Sequence, residues 1–551
     1  MDSPSQAHGF GMSGFSFSFV CSLQPGHFGE YLGSVSDAVR EGPMAFSFGE
    51  TFSHRIRLIV GMLKPISASK WDFHRAAHLL NRAGFGGTPE EIDELVRMGP
   101  ESAVDRLVDW ERIPEDFPKP LWAKPDPDAA TWMETMQKAD AEKRKTIQQE
   151  RRREYRIQGI ELQQWWLNRM AKTRRPLQEK LTLFWHGHFA TSLQKVKMPY
   201  LMWRQNEVFR RHGGGNWWNL VDQVTRDPAM LIWLDQARSR PDHPNENYAR
   251  ELMELFTLGE GHFSERDVLE AARALTGLTL DRGRQEPVFR LRLHDEGEKT
   301  ILGKTARFGV ETFLRHLVDQ PTADRFITAR LWSFFCTDSL TNDLEGALAA
   351  EFRKTGRRFQ PFLRTLFLSE EFYGPGAVRQ QIKSPVQLLV AATRQLEREV
   401  LPTPISNNAL RLLGQELFMP PNVKGWDGGV AWINTNTLVN RQNLALLLVT
   451  GENPLPAAAR AAKAKSGKRG GQMLQRQRLG AVRAGRLLPE ADRKDPERLI
   501  ACLEKRLLQG SFSSTERTTL RKHLERLGAV DDSEVLGLLR LALSTPDYQL
   551  C

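Results

Sequence analysis

The chain has 551 residues, 40% hydrophobic and 26% charged, with a formal net charge of +10. That composition is ordinary for a globular protein, and the length exceeds what one hydrophobic core serves, so two helical lobes or more are expected. Four cysteines, Cys21, Cys336, Cys502 and Cys551, form no close pair; this excludes a disulfide framework or zinc knuckle and favours a reducing compartment.

The charge is concentrated. Glu142 to Arg175 carries eleven Lys or Arg against four Glu, and Arg460 to Arg498 carries twelve against four acids. Outside these stretches the chain is slightly acidic, which favours a local basic surface over a protein coated in nucleic acid. No run approaches the roughly 20 apolar residues that span a bilayer. Phe15 to Val20 alternates Phe with Ser and lacks a basic leader and a small-residue cleavage site, so it is not a signal peptide and a cytoplasmic location is expected. Residues 1–61 are Gly/Ser/Phe-rich and aperiodic; they read as a disordered or mis-annotated extension, with Met62 as the start of the patterned chain.

Helical patterning begins at Trp71, with Phe73, Ala77 and Leu80 on one face and Gly84 to Gly87 as a stop. Thr88-Pro89-Glu90-Glu91 reads as an N-cap, a first-turn proline and first-turn acids, and Gly99-Pro100 ends that helix and opens the next. After a Pro-rich connector, a long basic helix is expected near 129–175. Its middle, Glu142 to Arg156, is almost wholly polar: a solvated helix, or a surface for RNA or an acidic partner. Farther on, Phe289, Leu291 and Leu293 alternate with Arg290, Arg292 and His294. Asp295 to Gly297 supplies a turn and Lys299 to Leu302 returns, which predicts one small β-hairpin near 288–302. The fold class is therefore all-α with that hairpin. The main helical domain runs over 62–453, a flexible basic linker over 454–480, and a C-terminal helical unit over 481–551.

Several stretches are similar to the signature segments of one bacterial family, in its order. They are Ala76 to Gly86, Phe184-Trp185-His186-Gly187-His188-Phe189, Asp227 to Asp235, Pro244 to Gly259, His294-Asp295, and Pro420-Pro421-Asn422-Val423-Lys424-Gly425-Trp426. On these residues the chain resembles the uncharacterised domain of unknown function 1800 family over about 71–551. No catalytic residues are established for that family, so none carry over. The resemblance implies a working partner, a sulfatase- or phosphatase-like protein encoded nearby whose members often carry export signals, and hence envelope association as the alternative location.

The motifs leave two functional classes open. His186 and His188 stand two apart on a helix, where 100° per residue splays them; Leu177, Leu181, Phe184 and His188 form one stripe, placing His188 toward the core and His186 away from it. Both reach one metal only if the helix breaks at Gly187; with further ligands such as His294, that makes a divalent Zn, Fe or Mn site. Asp227-Pro228 reads as an N-cap and first-turn proline. Asp235 either closes that helix or supplies a carboxylate. Tyr248, Leu252, Leu255 and Phe256 make an apolar face beside Asn247, Arg250, Glu251 and Glu254, which are a paired structural network, general acid/base groups or holders of a metal. Glu246 and Arg250 are ordered for an i,i+4 ion pair. The loop from Pro420 to Gly429 offers Asn422, Lys424, Trp426 and Asp427 to a ligand or partner, or plugs a gap between helices. No phosphate-binding glycine loop, serine elbow or two-histidine protease helix is present. What remains is a helical accessory or scaffold protein or, alternatively, a metal-dependent hydrolase with a His/Glu centre, with nucleic-acid binding through Arg151 to Arg156 a weaker third.

Overall fold

The computed structural model describes residues 61–125, 129–453, 479–528 and 530–551. Residues 1–60 of the extension expected over 1–61, and most of the linker expected over 454–480, lie outside the described residues. The described chain is mostly all-α, with only two small two-stranded sheets, and none of its helices is long and apolar enough to cross a membrane.

Helix starts follow their capping residues. The Asp72 carboxylate accepts the Arg75 N–H at 2.9 Å and opens α1 (Phe73–Arg82). Thr88 and Glu91 form a reciprocal capping box at α2 (Pro89–Met98), and α3 (Pro100–Val108) follows Gly99 directly. The long basic segment is two helices, α4 (Ala129–Lys138) and α5 (Ala141–Lys172), because the Asp140 carboxylate turns back to cap Lys143 N at 2.8 Å and starts a new helix. In α5 the residues up to Gln158 are mostly exposed, whereas Gly159, Leu162, Trp166, Leu167 and Met170 are buried.

Two hydrophobic cores organise the fold. One runs from Ile66 to Ala377 in sequence, around Trp185, Trp217, Phe256 and Phe359. The other gathers Trp166, Leu183 and Phe418 with the C-terminal helices through Leu499, Leu539 and Tyr548. Helix α6 (Pro176–His188) lies between them: Leu177, Leu181, Phe184 and Trp185 enter the first core and Leu183 the second. Its polar residues are buried too. Glu179 is fully buried and meets Arg169 of α5 and Arg210 of α7 (Pro199–His212) at 2.5 and 2.6 Å.

The single hairpin expected at 288–302 is corrected to two that flank it. Strands β1 (Leu278–Asp281) and β2 (Glu286–Phe289) pair antiparallel, as do β3 (Lys299–Ile301) and β4 (Lys304–Ala306). Leu291–Leu293 is a 3-10 turn, not a strand. The first turn is closed by the Asp281 carboxylate, which accepts the Gly283 and Arg284 N–H groups at 3.0 Å each. Asp295 is held by Arg273 at 2.7 Å, so it anchors the connection between hairpins rather than turning one.

Candidate functional site

The signature segments meet at the C-terminal end of α6. The helix runs unbroken through Gly187, and the two histidines point to its opposite sides. His188 faces the first core, its ring among Phe184, Trp185, Phe189 and Phe256. His186 does not point away from the interior, as the apolar stripe predicted. It is 1% exposed, packed on Trp166 and Phe418, because α6 has a second core on its other side.

Each imidazole holds a piece of main chain. His186 Nε2 accepts the Phe418 N–H at 3.0 Å, which puts its proton on Nδ1. His188 donates from Nε2 to the Phe256 carbonyl at 3.0 Å, and its Nδ1 is buried without a partner among the described residues. Burial pushes both pKa values down to about 3, with Arg330 adding to the effect at His188, so both rings stay neutral near neutral pH. His294 is elsewhere, its Nδ1 2.8 Å from the Thr276 carbonyl and its ring on Phe289. Among the described residues, no group of three or more His, Cys, Asp or Glu is arranged to hold a metal ion.

The carboxylates divide into used and unused. Asp227 caps the helix Pro228–Trp233 by accepting Met230 N at 3.0 Å and also accepts from Gln205 at 2.8 Å; burial pushes its pKa up to about 7. Asp235, at a left-handed φ of 59°, is bound by Lys195 at 2.7 Å. Arg250 makes the expected pair with Glu246 at 3.5 Å, but its closer partner is Glu265 at 2.6 Å. Glu251 and Glu254 are different. They sit where helix α8 (Glu246–Glu251) widens into a π-helix over Leu252–Thr257, a geometry frequent at functional sites. Partial burial, then the neighbouring Glu254, raises the Glu251 pKa, while Lys424 and Arg250 oppose the rise.

The Pro420 to Gly429 loop is tied to this centre through main chain. Asn422 Oδ1 accepts the Lys424 N–H at 2.9 Å, making a tight turn that ends in Gly425 at φ 85°. A Cβ on Gly425 would lie 2.3 Å from the Gly187 carbonyl oxygen, so the two backbones touch and only glycine fits. On one side of this contact Lys424 extends toward Glu260 at 4.0 Å. On the other, the Trp426 ring leans on His186 with centroids 5.6 Å apart, and Trp426 and Asp427 line a cavity of about 370 Å³. Sequence reading missed Trp432, Asn434 and Asn436, which complete that cavity; the available signal was a second tryptophan and two asparagines within ten residues of Trp426.

The arrangement therefore brings His186, Lys424, Trp426 and, through the charge of Lys424, Glu251 into one region. It leaves Asp235, Arg250 and His294 in separate local pairings. No curated protein and no solved structure shows significant similarity to the chain. A family model described as protein of unknown function (DUF1800) matches residues 78–550, and with nearly the whole chain covered, this protein belongs to that family.

Proposed function

We propose that this chain is a non-catalytic helical accessory or scaffold protein acting with a sulfatase- or phosphatase-like partner. One observation carries the reading: the histidines of its most chemically suggestive motif are spent on the chain's own main chain, at Phe418 N and Phe256 O. His186 fixes the segment at Phe418 and His188 fixes the π-helix at Phe256, each through Nε2, rather than forming an open ligand pair. The surfaces left for a partner are the 420–429 loop, with exposed Lys424 and Asp427, and the exposed basic face of α5 at Arg152, Arg153 and Arg156.

The second reading, a metal-dependent hydrolase with a His/Glu centre, has Glu251 and Glu254 in its favour. Glu254 lies on the π-turn and Glu251 on the helical turn just before it, neither with a hydrogen bond or ion pair to the described residues, and the raised pKa of Glu251 makes it the general-base candidate. Nucleic-acid binding by α5 is weaker and would show as affinity falling steeply with salt.

The test is co-purification with the sulfatase- or phosphatase-like protein encoded beside it. The wild-type chain is expected to co-elute with that protein. A Lys424→Glu chain combined with Arg152→Glu and Arg153→Glu should lose the complex while keeping its thermal midpoint. Failure of the wild type to co-elute, or a complex indifferent to these charge reversals, argues against the proposal.

A further inference from the structure

We propose that the cavity bounded by helix α9 (Thr403–Leu413), the 420–429 loop and helix α10 (Thr435–Thr450) is a binding site for a neutral, polyhydroxylated, sugar-like ligand. The site lies wholly within this chain and stands whether or not a partner docks on the same loop.

The volume, about 370 Å³, is within the usual range for small-molecule pockets. Its floor and walls come from Leu413, Trp426, Asp427, Trp432, Asn436 and neighbouring small residues. Asp427 and Asn436 are exposed, and neither side chain makes a hydrogen bond or ion pair with the described residues. The indole N–H groups of Trp426 and Trp432 have no acceptor among the described residues either. They are not among the sealed, unpartnered indoles of the interior, such as those of Trp217 and Trp218. The cavity is thus lined by two tryptophans whose N–H donors are unused, an unused amide and an unused carboxylate.

Charge decides the ligand class. Among the described residues no Lys, Arg or His lines the cavity, so a phosphate, sulfate or carboxylate would face Asp427 without a counter-ion. A purely apolar ligand would strip water from Asp427 and the indole N–H groups without replacing it, at a cost of kcal/mol per group. An ammonium suits Asp427 and the indole faces but leaves both indole N–H donors unmet. Ring hydroxyls meet every requirement: they donate to Asp427, accept from the indoles and Asn436, and leave a C–H face for aromatic contact. The site is also pre-organised. Trp426 is pinned by His186, whose own ring is fixed by Phe418 N, and the Trp432 ring lies against Gly414. His186 is by this account a positioning residue for Trp426.

The experiment is calorimetric and tryptophan-fluorescence titration of the full chain with a panel of neutral mono- and disaccharides. Arginine and tetramethylammonium chloride are titrated in parallel. At least one saccharide is expected to bind saturably. Asp427→Ala, an exposed position whose loss should leave the thermal midpoint unchanged, is expected to weaken it about tenfold or more, a difference of about 1.4 kcal/mol. Absence of saccharide binding, saturable binding of the cations alone, or saccharide binding undiminished in Asp427→Ala overturns the assignment.

Discussion

Replacing Glu179 with alanine is expected to cost about 3–5 kcal/mol of stability at neutral pH, because it removes the carboxylate that two buried guanidinium groups share. The carboxylate is fully buried. Its oxygens accept from Arg169 Nε at 2.5 Å, Arg210 Nε at 2.6 Å, Arg210 Nη2 at 2.9 Å and the Trp166 indole at 2.9 Å. Arg169 retains Glu115 at 3.0 Å and Arg210 retains Glu207, but neither acid reaches the point between the two arginines that Glu179 fills. Burial alone would raise the Glu179 pKa; Arg210 and then Arg169 outweigh it and hold it at about 2 rather than 4.5. A depressed carboxyl stabilises the fold above its unfolded value, so this contribution is complete above pH 4.5 and is lost as the pH falls toward 2. Urea unfolding of the wild type and Glu179→Ala should therefore differ widely at neutral pH and converge in acid. A loss under about 1 kcal/mol at neutral pH would mean the network is dispensable.

Gly425→Ala is expected to be the most damaging change in the 420–429 loop. The new Cβ would lie 2.3 Å from the Gly187 carbonyl oxygen and 3.2 Å from its carbon, backbone atoms that a side-chain rotation cannot clear. The positive φ of 85° adds the left-handed cost of about 1–2 kcal/mol. Together they predict more than about 3 kcal/mol lost, or a loop displaced from α6. Gly428→Ala separates the two effects: it has a φ of 76° with nothing within 4 Å of the added carbon, so it bears only the backbone cost. Thermal stability should fall further in the first variant than in the second, and tryptophan fluorescence should change only in the first. Equal effects would show that the contact with Gly187 contributes nothing.

What the sequence made legible was local. Thr88-Pro89-Glu91, Asp227-Pro228 and Gly99-Pro100 each begin or end the helix that their capping chemistry predicts, since caps depend on residues three or four apart. The two hairpins were read as one because the alternation of Phe289, Leu291 and Leu293 mimics a strand. The actual turns lie at Asp281 to Gln285 and at Leu302-Gly303. His186 was misplaced for a longer-range reason. A stripe on α6 identifies one buried face, but Gln178, Glu179, Lys180 and Thr182 are buried as well. Their polarity reads as surface unless Arg169 and Arg210, on other helices, are known to neutralise Glu179 among them. The cavity was out of reach in the same way. Trp426 is set by His186, 240 positions earlier, and nothing in local spacing announces that contact.

Metal content decides whether His186 and His188 are structural. Elemental mass spectrometry of the purified full chain, beside a His186→Ala, His188→Ala double variant, is the measurement. Structural histidines leave the wild type without stoichiometric Zn, Fe or Mn and make the variant markedly less stable, having lost the anchors on Phe418 and Phe256. Near-stoichiometric metal that disappears in a variant of unchanged stability would contradict a structural role and make the chain a metalloprotein.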